Sequence, residues 1–568
     1  MAKKTSEQNN EIGWILRDRK VIDGLDHLGV ELVSVNLYQA MLPGLTNVTE
    51  RARYYSFYPW VLHRFAQDGP KERTKLTWRT WFRTLDFAYA AACIAFEHEI
   101  QLGSGSSIVG ADKASILVAG KGAGIKVDLL SACHVDEKGS VPADGAYFKN
   151  PEGGYGQYYK GPFRELGIVS NHSGPAHPDV KLTNFAGLKL AQSLDGHQGF
   201  EELKQIALDG GATVSDLARV GKLVHPSAIV SGSEEESLLR SLLLGNDKEL
   251  CQAQIPQHLQ WRRRSLLLIL QYVADCGSLE GDAPHEFRWS CTAKAMPSGE
   301  AWPCPPALEG TANSWGAYQR NDLLNYALES LFYASLLRLD ERPYPPLQLA
   351  GILADEAMAE VPMSNGYKQL PALPSKVGHW VANCTRTVQD SSNDPWGGNS
   401  TWELSNRLEL AVKERDTSLI AALAARVLGR LASDIGTWEK HPFEEIFDGV
   451  EMASKYEVHL KGWVDRANRA TNQPTRDFLQ ELLLEWVLFR HLRVATRKLA
   501  NQGVSTYKFR PEEGELLMIA EKPPLPTFTA PRLRQSFRIL EDLHCLSRVN
   551  NGFEISEEGR AILEASHA

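Results

Sequence analysis

Long stretches of this chain place apolar residues at helical spacing, and this pattern limits the possible fold more than any other feature. The clearest stretch is 321–339, whose apolar residues recur three or four positions apart: Leu323, Leu324, Tyr326, Ala327, Leu331, Phe332, Leu336 and Leu337. The same spacing occurs in 401–412, 418–438 and 475–499. The pattern therefore predicts a mainly α-helical protein.

The composition is that of a chain with several globular domains. It has 568 residues, of which 43% are hydrophobic and 23% are charged, so substantial apolar cores can form. This length corresponds to about three or four domains of ordinary size. Proline clusters such as 343–346 mark boundaries between the helical stretches, because proline cannot continue a helix.

These boundaries divide the chain into consecutive segments. We expect a disordered leader (1–10), an N-terminal mostly helical domain (11–199), a second helical domain (200–363), an irregular linker or insertion (364–400), a long-helix region (401–500) and a C-terminal domain (501–568) that opens with a strand at 504–509. The leader lacks the apolar core of a signal peptide. The most apolar run, 87–96, is far shorter than the roughly 20 residues of a membrane helix. We therefore predict a cytoplasmic protein without membrane contact.

The C-terminal domain has a recognisable order of elements. A helix is predicted after Pro531, a tight turn at 550–552 and a strand at 553–556, and Ser556 can cap a final helix. This order of helix, two-stranded wing and exit helix resembles winged-helix DNA-binding domains over about 529–568. The resemblance implies a winged-helix-like C-terminal domain.

A second stretch, at about 155–195, shows a similar order. Leu166 would correspond to Leu543, and Thr183 to Ser556, with a longer wing at 170–179. The correspondence predicts a second winged-helix-like unit, and a chance likeness of two amphipathic segments is the alternative. The expected fold class is therefore mainly α: a multi-domain helical protein with small α+β winged-helix-like units.

Positive charge is concentrated next to the C-terminal domain. Residues 490–538 contain ten Lys or Arg against four Asp or Glu, a local charge of +6 in a chain of net charge −9. Such contrast favours attraction to phosphates. The residues predicted to contact nucleic acid are Arg493, Arg497, Lys498, Lys508, Arg510, Arg532, Arg534 and Arg538. The alternative is that these side chains only solvate helix faces while the domain contacts protein.

An aromatic-rich stretch near the N-terminus has two interpretations. Residues 51–60 combine Arg51 and Arg53 with five aromatic side chains. Aromatic and arginine side chains together can stack on nucleic-acid bases. A packed aromatic core, with the arginines paired or capping inside it, is the favoured interpretation.

Catalytic motifs are absent from the sequence. There is no GxSxG, HExxH, Walker A or CxxC pattern, and the glycines of 103–128 lack the Lys-Ser/Thr of a phosphate loop. Eight scattered cysteines indicate free thiols in a reducing compartment. The acids Glu444, Glu445 and Asp448 lie near His441, but the nearest matches to a nuclease motif are Asp128 and Glu457–Lys461, and both are weak. We therefore assign no catalytic residue, no metal ligand and no cofactor, and favour a non-enzyme.

These observations favour a non-enzymatic DNA-binding or scaffold subunit of a bacterial multi-protein system, with DNA and other protein subunits as partners. The chain also loosely resembles large bacterial proteins associated with phage defence, which have an aromatic-rich N-terminus and a C-terminal winged helix. That resemblance implies a role in anti-phage defence. The alternatives are a nuclease or hydrolase subunit whose site no motif reveals, and a transcriptional regulator, for which the chain is unusually long.

Overall fold

The structure, a computed structural model, describes most of the chain. The described residues are 26–48, 50–102, 107–141, 147–172, 178–245, 257–279, 282–363, 367–390, 396–397, 400–433, 458–550 and 552–567. The predicted leader, the acids near His441 and part of the predicted linker lie outside these ranges.

Helices account for most of the described residues, which confirms the mainly α-helical fold class. In chain order the helices are α1 (Glu31–Met41), α2 (Tyr54–Asp68), α3 (Lys75–Glu99), α4 (Ala111–Val118), α5 (Leu130–Cys133), α6 (Lys160–Glu165), α7 (Gly187–Gln192), α8 (Gln198–Leu208), α9 (Val214–Val224), α10 (Glu234–Leu244), α11 (Gln257–Cys276), α12 (Ala283–Ala293), α13 (Pro306–Glu341), α14 (Pro346–Met358), α15 (Val377–Asp390), α16 (Thr401–Glu414), α17 (Thr417–Ser433), α18 (Leu460–Arg469), α19 (Thr475–Leu482), α20 (Phe489–Gln502), α21 (Leu533–Asp542) and α22 (Glu557–His567). π-Helical turns at Tyr155–Tyr159 and Leu483–Leu488 lead into α6 and α20, and a 3₁₀ turn at Pro226–Ala228 follows α9.

The strands are short and all of them pair antiparallel. They are β1 (Lys126–Asp128), β2 (Val169–Asn171), β3 (Val180–Leu182), β4 (Gly211–Thr213), β5 (Ser278–Leu279), β6 (Phe509–Glu512), β7 (Glu515–Met518), β8 (Leu546–Val549) and β9 (Gly552–Ile555). Among the described residues β1 pairs with β4, β2 with β3 and β6 with β7, while β5, β9 and β8 form a three-stranded sheet. The strand expected at 504–509 was placed wrongly, because pairing begins only at Phe509.

The chain divides into two compact units, and each is built from two separate stretches of sequence. Unit 1 comprises Met1–Asn36 and Gly316–Thr529, and unit 2 comprises Leu37–Trp315 and Ala530–Ala568. The C-terminal residues of unit 2 therefore fold with a stretch that ends far earlier in the sequence.

An aromatic cluster forms one core of unit 2. Phe57 of α2 stacks on Tyr89 of α3 with ring centroids 4.3 Å apart, and Tyr58 contacts Tyr159 at 4.9 Å. Arg53 is buried and pairs with Glu235 at 2.7 Å. These contacts confirm the interpretation of 51–60 as a packed core with arginines paired inside it.

In unit 1, α17 is the central helix. It packs against α14, α15, α16 and α18, and 13 of its 17 residues are buried. Arg426 of α17 donates to the carbonyl oxygens of Ala359 and Pro371 at 2.8 and 2.6 Å. Burial lowers the pKa of Arg426 to about 10. This arginine therefore holds the chain that follows α14 by hydrogen bonds to its backbone.

None of the described helices is both long enough and apolar enough to cross a bilayer, which takes about 20 predominantly apolar residues.

Candidate nucleic-acid interface

The C-terminal hairpin belongs to a module, here called the C-terminal module, that two distant stretches of unit 2 build together. The first stretch, 257–293, supplies α11, β5 and α12; the second, 533–567, supplies α21, β8, β9 and α22. β5 pairs with β9 and β9 with β8, so the order in the sheet is β5–β9–β8. α11 packs against β9, α21 and α22, and α12 packs against α21. The order along the chain is thus helix, strand, helix, helix, hairpin and helix.

A small hydrogen-bond network fixes the hairpin to α21. The chain reverses two residues after α21, at His544, whose φ is 54°. The Ser556 hydroxyl donates to the His544 carbonyl oxygen at 2.6 Å and accepts from the Gly559 N–H at 2.9 Å. The Ser556 N–H donates to the Cys545 carbonyl oxygen at 3.3 Å. The single serine predicted as a cap therefore joins the two helices that flank the hairpin.

The same network occurs a second time in unit 2, around β2 and β3. Gly167, with a φ of 67°, reverses the chain two residues after α6. The Thr183 hydroxyl donates to the Gly167 carbonyl oxygen at 2.6 Å and accepts from the Gly187 N–H at 3.3 Å. The Thr183 N–H donates to the Ile168 carbonyl oxygen at 3.0 Å. We call the segment 155–192 the first copy.

Both networks require a glycine at the start of their last helix. A Cβ built on Gly187 would lie 2.1 Å from the Ile168 carbonyl oxygen, and one built on Gly559 would lie 2.2 Å from that of Cys545. Such distances exclude any side chain without movement of the backbone. The two segments therefore share a local structure down to individual atoms.

An acidic residue ends the helix before each hairpin and anchors it within unit 2. Asp542 of α21 forms a bidentate ion pair with Arg51, at 3.1 and 2.7 Å, and accepts from the Ala52 N–H at 2.8 Å. Although burial acts in the opposite direction, the Asp542 carboxylate raises the pKa of Arg51. Glu165 of α6 correspondingly accepts from the Gly44 N–H at 2.9 Å. Gly44 on one side and Arg51 with Ala52 on the other thus bind the two helices.

Three arginines project from α21 and β8. Arg534 is 71% exposed and lies 3.4 Å from Glu50. Arg538 lies 3.9 Å from Glu50 and 4.0 Å from Glu541. Arg548 forms a bidentate pair with Glu541 at 2.9 and 3.0 Å. Two carboxylates therefore face three guanidinium groups on this surface, which we call the arginine face.

The pKa shifts on the arginine face follow these contacts. The hydrogen bond to Glu541 raises the pKa of Arg548. Burial and then the neighbouring Arg548 lower the pKa of Arg538. Arginine has so high an ordinary pKa that Arg538 and Arg548 both stay charged near neutral pH despite these shifts.

Arg532, also predicted to contact nucleic acid, is used inside unit 2. Its guanidinium donates to Asn47 at 2.7 Å and to the Leu42 carbonyl oxygen at 3.1 Å, and it lies over the ring of Tyr38. Burial lowers the pKa of Arg532. The side chain holds the segment before α2, and little of it faces solvent.

The other five predicted residues lie in unit 1. Arg493 and Arg497 are exposed on α20, whereas Lys508 is fully buried. Lys498 donates to the Asp26 carbonyl oxygen at 2.7 Å, and Arg510 pairs with Glu512 at 2.6 Å. The structure thus places Arg534 and Arg538 on the arginine face, uses Arg532 elsewhere in unit 2, and puts the remaining five residues in unit 1.

Sequence reasoning missed part of the arginine face. Arg548 could have been found, because it lies in the strand that leads into the predicted turn. Glu50 had no such signal, since it approaches Arg534 and Arg538 from a segment almost five hundred residues earlier. The first strand of the sheet, β5, has only two residues, too few for a sequence pattern.

One group of side chains among the described residues has the composition of a cation site. The carboxylate oxygens of Asp26, Glu31 and Glu329, all in unit 1, lie within 4.8 Å of one another. Acidic side chains often lie this close together without an ion, so the cluster by itself does not establish a metal site and we assign these residues no ligand role.

Comparisons with known proteins gave no relatives. No protein-family model matches the chain, and neither the curated proteins nor the solved structures contain a significant match.

Proposed function

We propose that the C-terminal module is a winged-helix domain that binds double-stranded DNA through the arginine face, and that the chain is a non-enzymatic DNA-binding subunit of a multi-protein system. α21 would be the recognition helix, and β8 and β9 the wing. A role in anti-phage defence remains a prediction of the resemblance. The observation that carries the proposal is the position of Arg534, Arg538 and Arg548 on the helix and strand that such a domain presents to DNA.

The arrangement of the sheet supports the winged-helix assignment. A winged helix needs a first strand and two helices before its recognition helix, and residues 529–568 alone cannot supply them. The stretch 257–293 supplies α11, β5 and α12 in this order, and the strand order is β5–β9–β8. The module is therefore complete although its two parts are distant in sequence.

The first copy acts as an internal comparison for the arginines. Counting back from Leu543 and Leu166, Arg538 corresponds to Gly161, which is exposed and has open space around it. Asp542 corresponds to Glu165, and both of these acids bind the segment 44–52. Both copies thus have an acid at the helix end, but only one has an arginine at the position of Arg538. Because the local structure forms without this arginine, we infer that Arg538 serves to bind a partner and is not needed for folding.

The acids on the arginine face set the expected strength of binding. Glu50 and Glu541 neutralise part of the positive charge in the free protein, so phosphates must displace them. Arg534 and Arg548 are 71% and 38% exposed, and ion pairs of exposed arginines are worth a median of about 0–1 kcal/mol, so phosphates can compete for these two guanidinium groups. Glu50 is only 8% exposed and keeps its hydrogen bond from Ser107, so its pairs with Arg534 and Arg538 are harder to displace. Binding should be moderate and strongly dependent on salt.

The test is a titration of the full chain with a fluorescent DNA duplex, read by anisotropy at several salt concentrations. The double variant Arg534→Gln/Arg538→Gln should bind DNA at least roughly tenfold more weakly than the wild type. The slope of log K against log salt concentration should become less steep by about one to two. Arg219→Gln/Lys222→Gln is the control, because it removes the same charge from exposed positions of α9 in the same unit.

Removing the competing acids should have the opposite effect. Glu50→Gln/Glu541→Gln should strengthen binding several-fold, because the three arginines lose their partners within the chain. The proposal fails if the arginine variant binds as tightly as the control, or if the wild type does not bind DNA at all. In either case the arginine face would be better explained as a protein-docking surface. Cleavage of the duplex with Mg²⁺ would instead favour the nuclease alternative.

A further inference from the structure

The N-terminal segment of unit 1, residues 26–36, is attached to two helices by polar contacts. α20 holds its backbone: Arg490 donates to the carbonyl oxygens of Leu28 and Gly29 at 2.6 and 3.1 Å, and Lys498 donates to that of Asp26 at 2.7 Å. α13 holds its side chains through Asn321 and Asn325. Both asparagines donate to the Ser34 hydroxyl, at 2.9 and 3.0 Å.

About one helical turn away from Ser34, both the segment and α13 present acidic side chains to each other. Glu31 of the segment meets Glu329 of α13, and Asp26 completes a group whose oxygens lie within 4.8 Å of one another. Glu329 is 8% exposed, and one of its oxygens accepts from the Thr527 N–H at 3.4 Å. Carboxylates this close and this poorly hydrated cannot all be ionised without a large electrostatic cost.

The surroundings only partly compensate for these charges. Segment 26–36 adds His27, and α13 adds Asp322, which already accepts from Thr529. α20 contributes Arg490, His491, Arg497 and Lys498, of which Arg490 and Lys498 donate to backbone carbonyls.

The pKa shifts agree with this geometry. Burial, followed by Asp26 and Asp322, raises the pKa of Glu31 to about 7. Burial and then Glu31 and Asp26 raise the pKa of Glu329 well above its ordinary value. Burial lowers the pKa of His491 to about 3, so this neighbour stays neutral across the range in which Glu31 titrates.

We propose that Glu31 and Glu329 share a proton across this contact, so that the attachment of segment 26–36 to α13 is a pH-sensitive switch, tight in acid and loosened toward neutral pH. With the proton present, one carboxyl can donate to the other. When the proton leaves, two carboxylates face each other beside Asp26. The segment is then repelled from α13 at this point, while Arg490, Lys498 and the asparagines still hold it elsewhere.

The direction of the effect follows from the raised pKa. A carboxyl whose pKa is higher when the segment is attached contributes most to attachment below its ordinary pKa of 4.5, and this contribution is lost as the pH rises through about 7. The neutral, buried His491 gives the opposite slope below its ordinary pKa of 6.5. Comparing variants at each pH removes the contribution of His491.

Hydrogen exchange of peptides covering 26–36 in the full chain tests the proposal, at pH 5 and pH 7.5 and after correction for intrinsic rates. The wild type should lose protection by about tenfold or more between these two pH values. Glu329→Gln and Glu31→Gln should remove most of this pH dependence. Glu31 is less buried than Glu329, so Glu31→Gln keeps the test valid if the other variant does not fold. Glu481→Gln, an exposed position of α19, should behave as the wild type.

Three results would overturn the proposal. The first is equal protection of the wild type at both pH values. The second is pH dependence that persists in both glutamine variants. The third is restored protection at pH 7.5 when millimolar Ca²⁺, Mg²⁺ or Mn²⁺ is added to the wild type but not to Glu329→Gln, which would mean that the three carboxylates hold a cation and do not share a proton.

Discussion

Buried arginines hold together distant parts of this structure. The sequence could not reveal their partners, because these lie far away along the chain. Arg51 and Asp542, with side chains 6% and 3% exposed, form their ion pair across 491 positions. Arg262, at the start of the Arg-Arg-Arg run, donates to the backbone carbonyl oxygens of Leu243, Pro43 and Leu242 at 2.9 Å each. The sequence shows the arginines and the aromatic residues around Arg51, but a partner so distant leaves no local pattern.

The Arg51–Asp542 ion pair should contribute strongly to the stability of unit 2. Asp542→Asn should destabilise unit 2 by about 3–5 kcal/mol, because it keeps the shape of the side chain but leaves the Arg51 guanidinium buried without its counter-ion. The measurement is urea unfolding of the variant and the wild type. Asp112→Asn, on the exposed face of α4, is the control and should change stability by less than about 1 kcal/mol. A change for Asp542→Asn as small as that of the control would show that the pair is not needed for stability.

Whole elements were predicted from the sequence where their signals are local. Both helix–hairpin–helix segments were expected, since each carries apolar residues at helical spacing, a turn and a capping Ser556 or Thr183. The pairing of β5 with β9 could not be expected, because two residues carry no alternation and their partner lies in the last strand. The strand at 504–509 was misplaced by a few residues, since alternation alone does not reveal where pairing starts.

The glycines at the starts of α7 and α22 should not tolerate a side chain. Gly187→Ala and Gly559→Ala should each destabilise unit 2 by roughly 1–3 kcal/mol, because the new methyl group would overlap a carbonyl oxygen. Gly161→Ala, in a helix with nothing within 4 Å of the new Cβ, should be neutral or stabilising by up to about 1 kcal/mol. Thermal unfolding of the three variants checks this order. Equal effects at Gly161 and Gly559 would contradict the close approach.

At the scale of the whole molecule, the two units do not follow the order of the sequence. Segmenting a sequence yields consecutive domains, whereas unit 1 and unit 2 each combine an early and a late stretch. The C-terminal module shows the consequence: its second half is recognisable at 533–567, and its first half lies at 257–293. Composition could predict a cationic C-terminal end. It could not show that Lys508 is buried or that Arg532 binds within unit 2.

The central claim is that α21 and the hairpin of the C-terminal module face DNA, and footprinting of the full chain by hydrogen exchange tests it most directly. With a saturating DNA duplex, we predict slower exchange in peptides covering α21 and β8, and unchanged exchange in the corresponding helix of the first copy, Lys160–Glu165. The first copy serves as a control within the same unit. Unchanged exchange in α21 and β8, or protection confined to the first copy, would contradict the account.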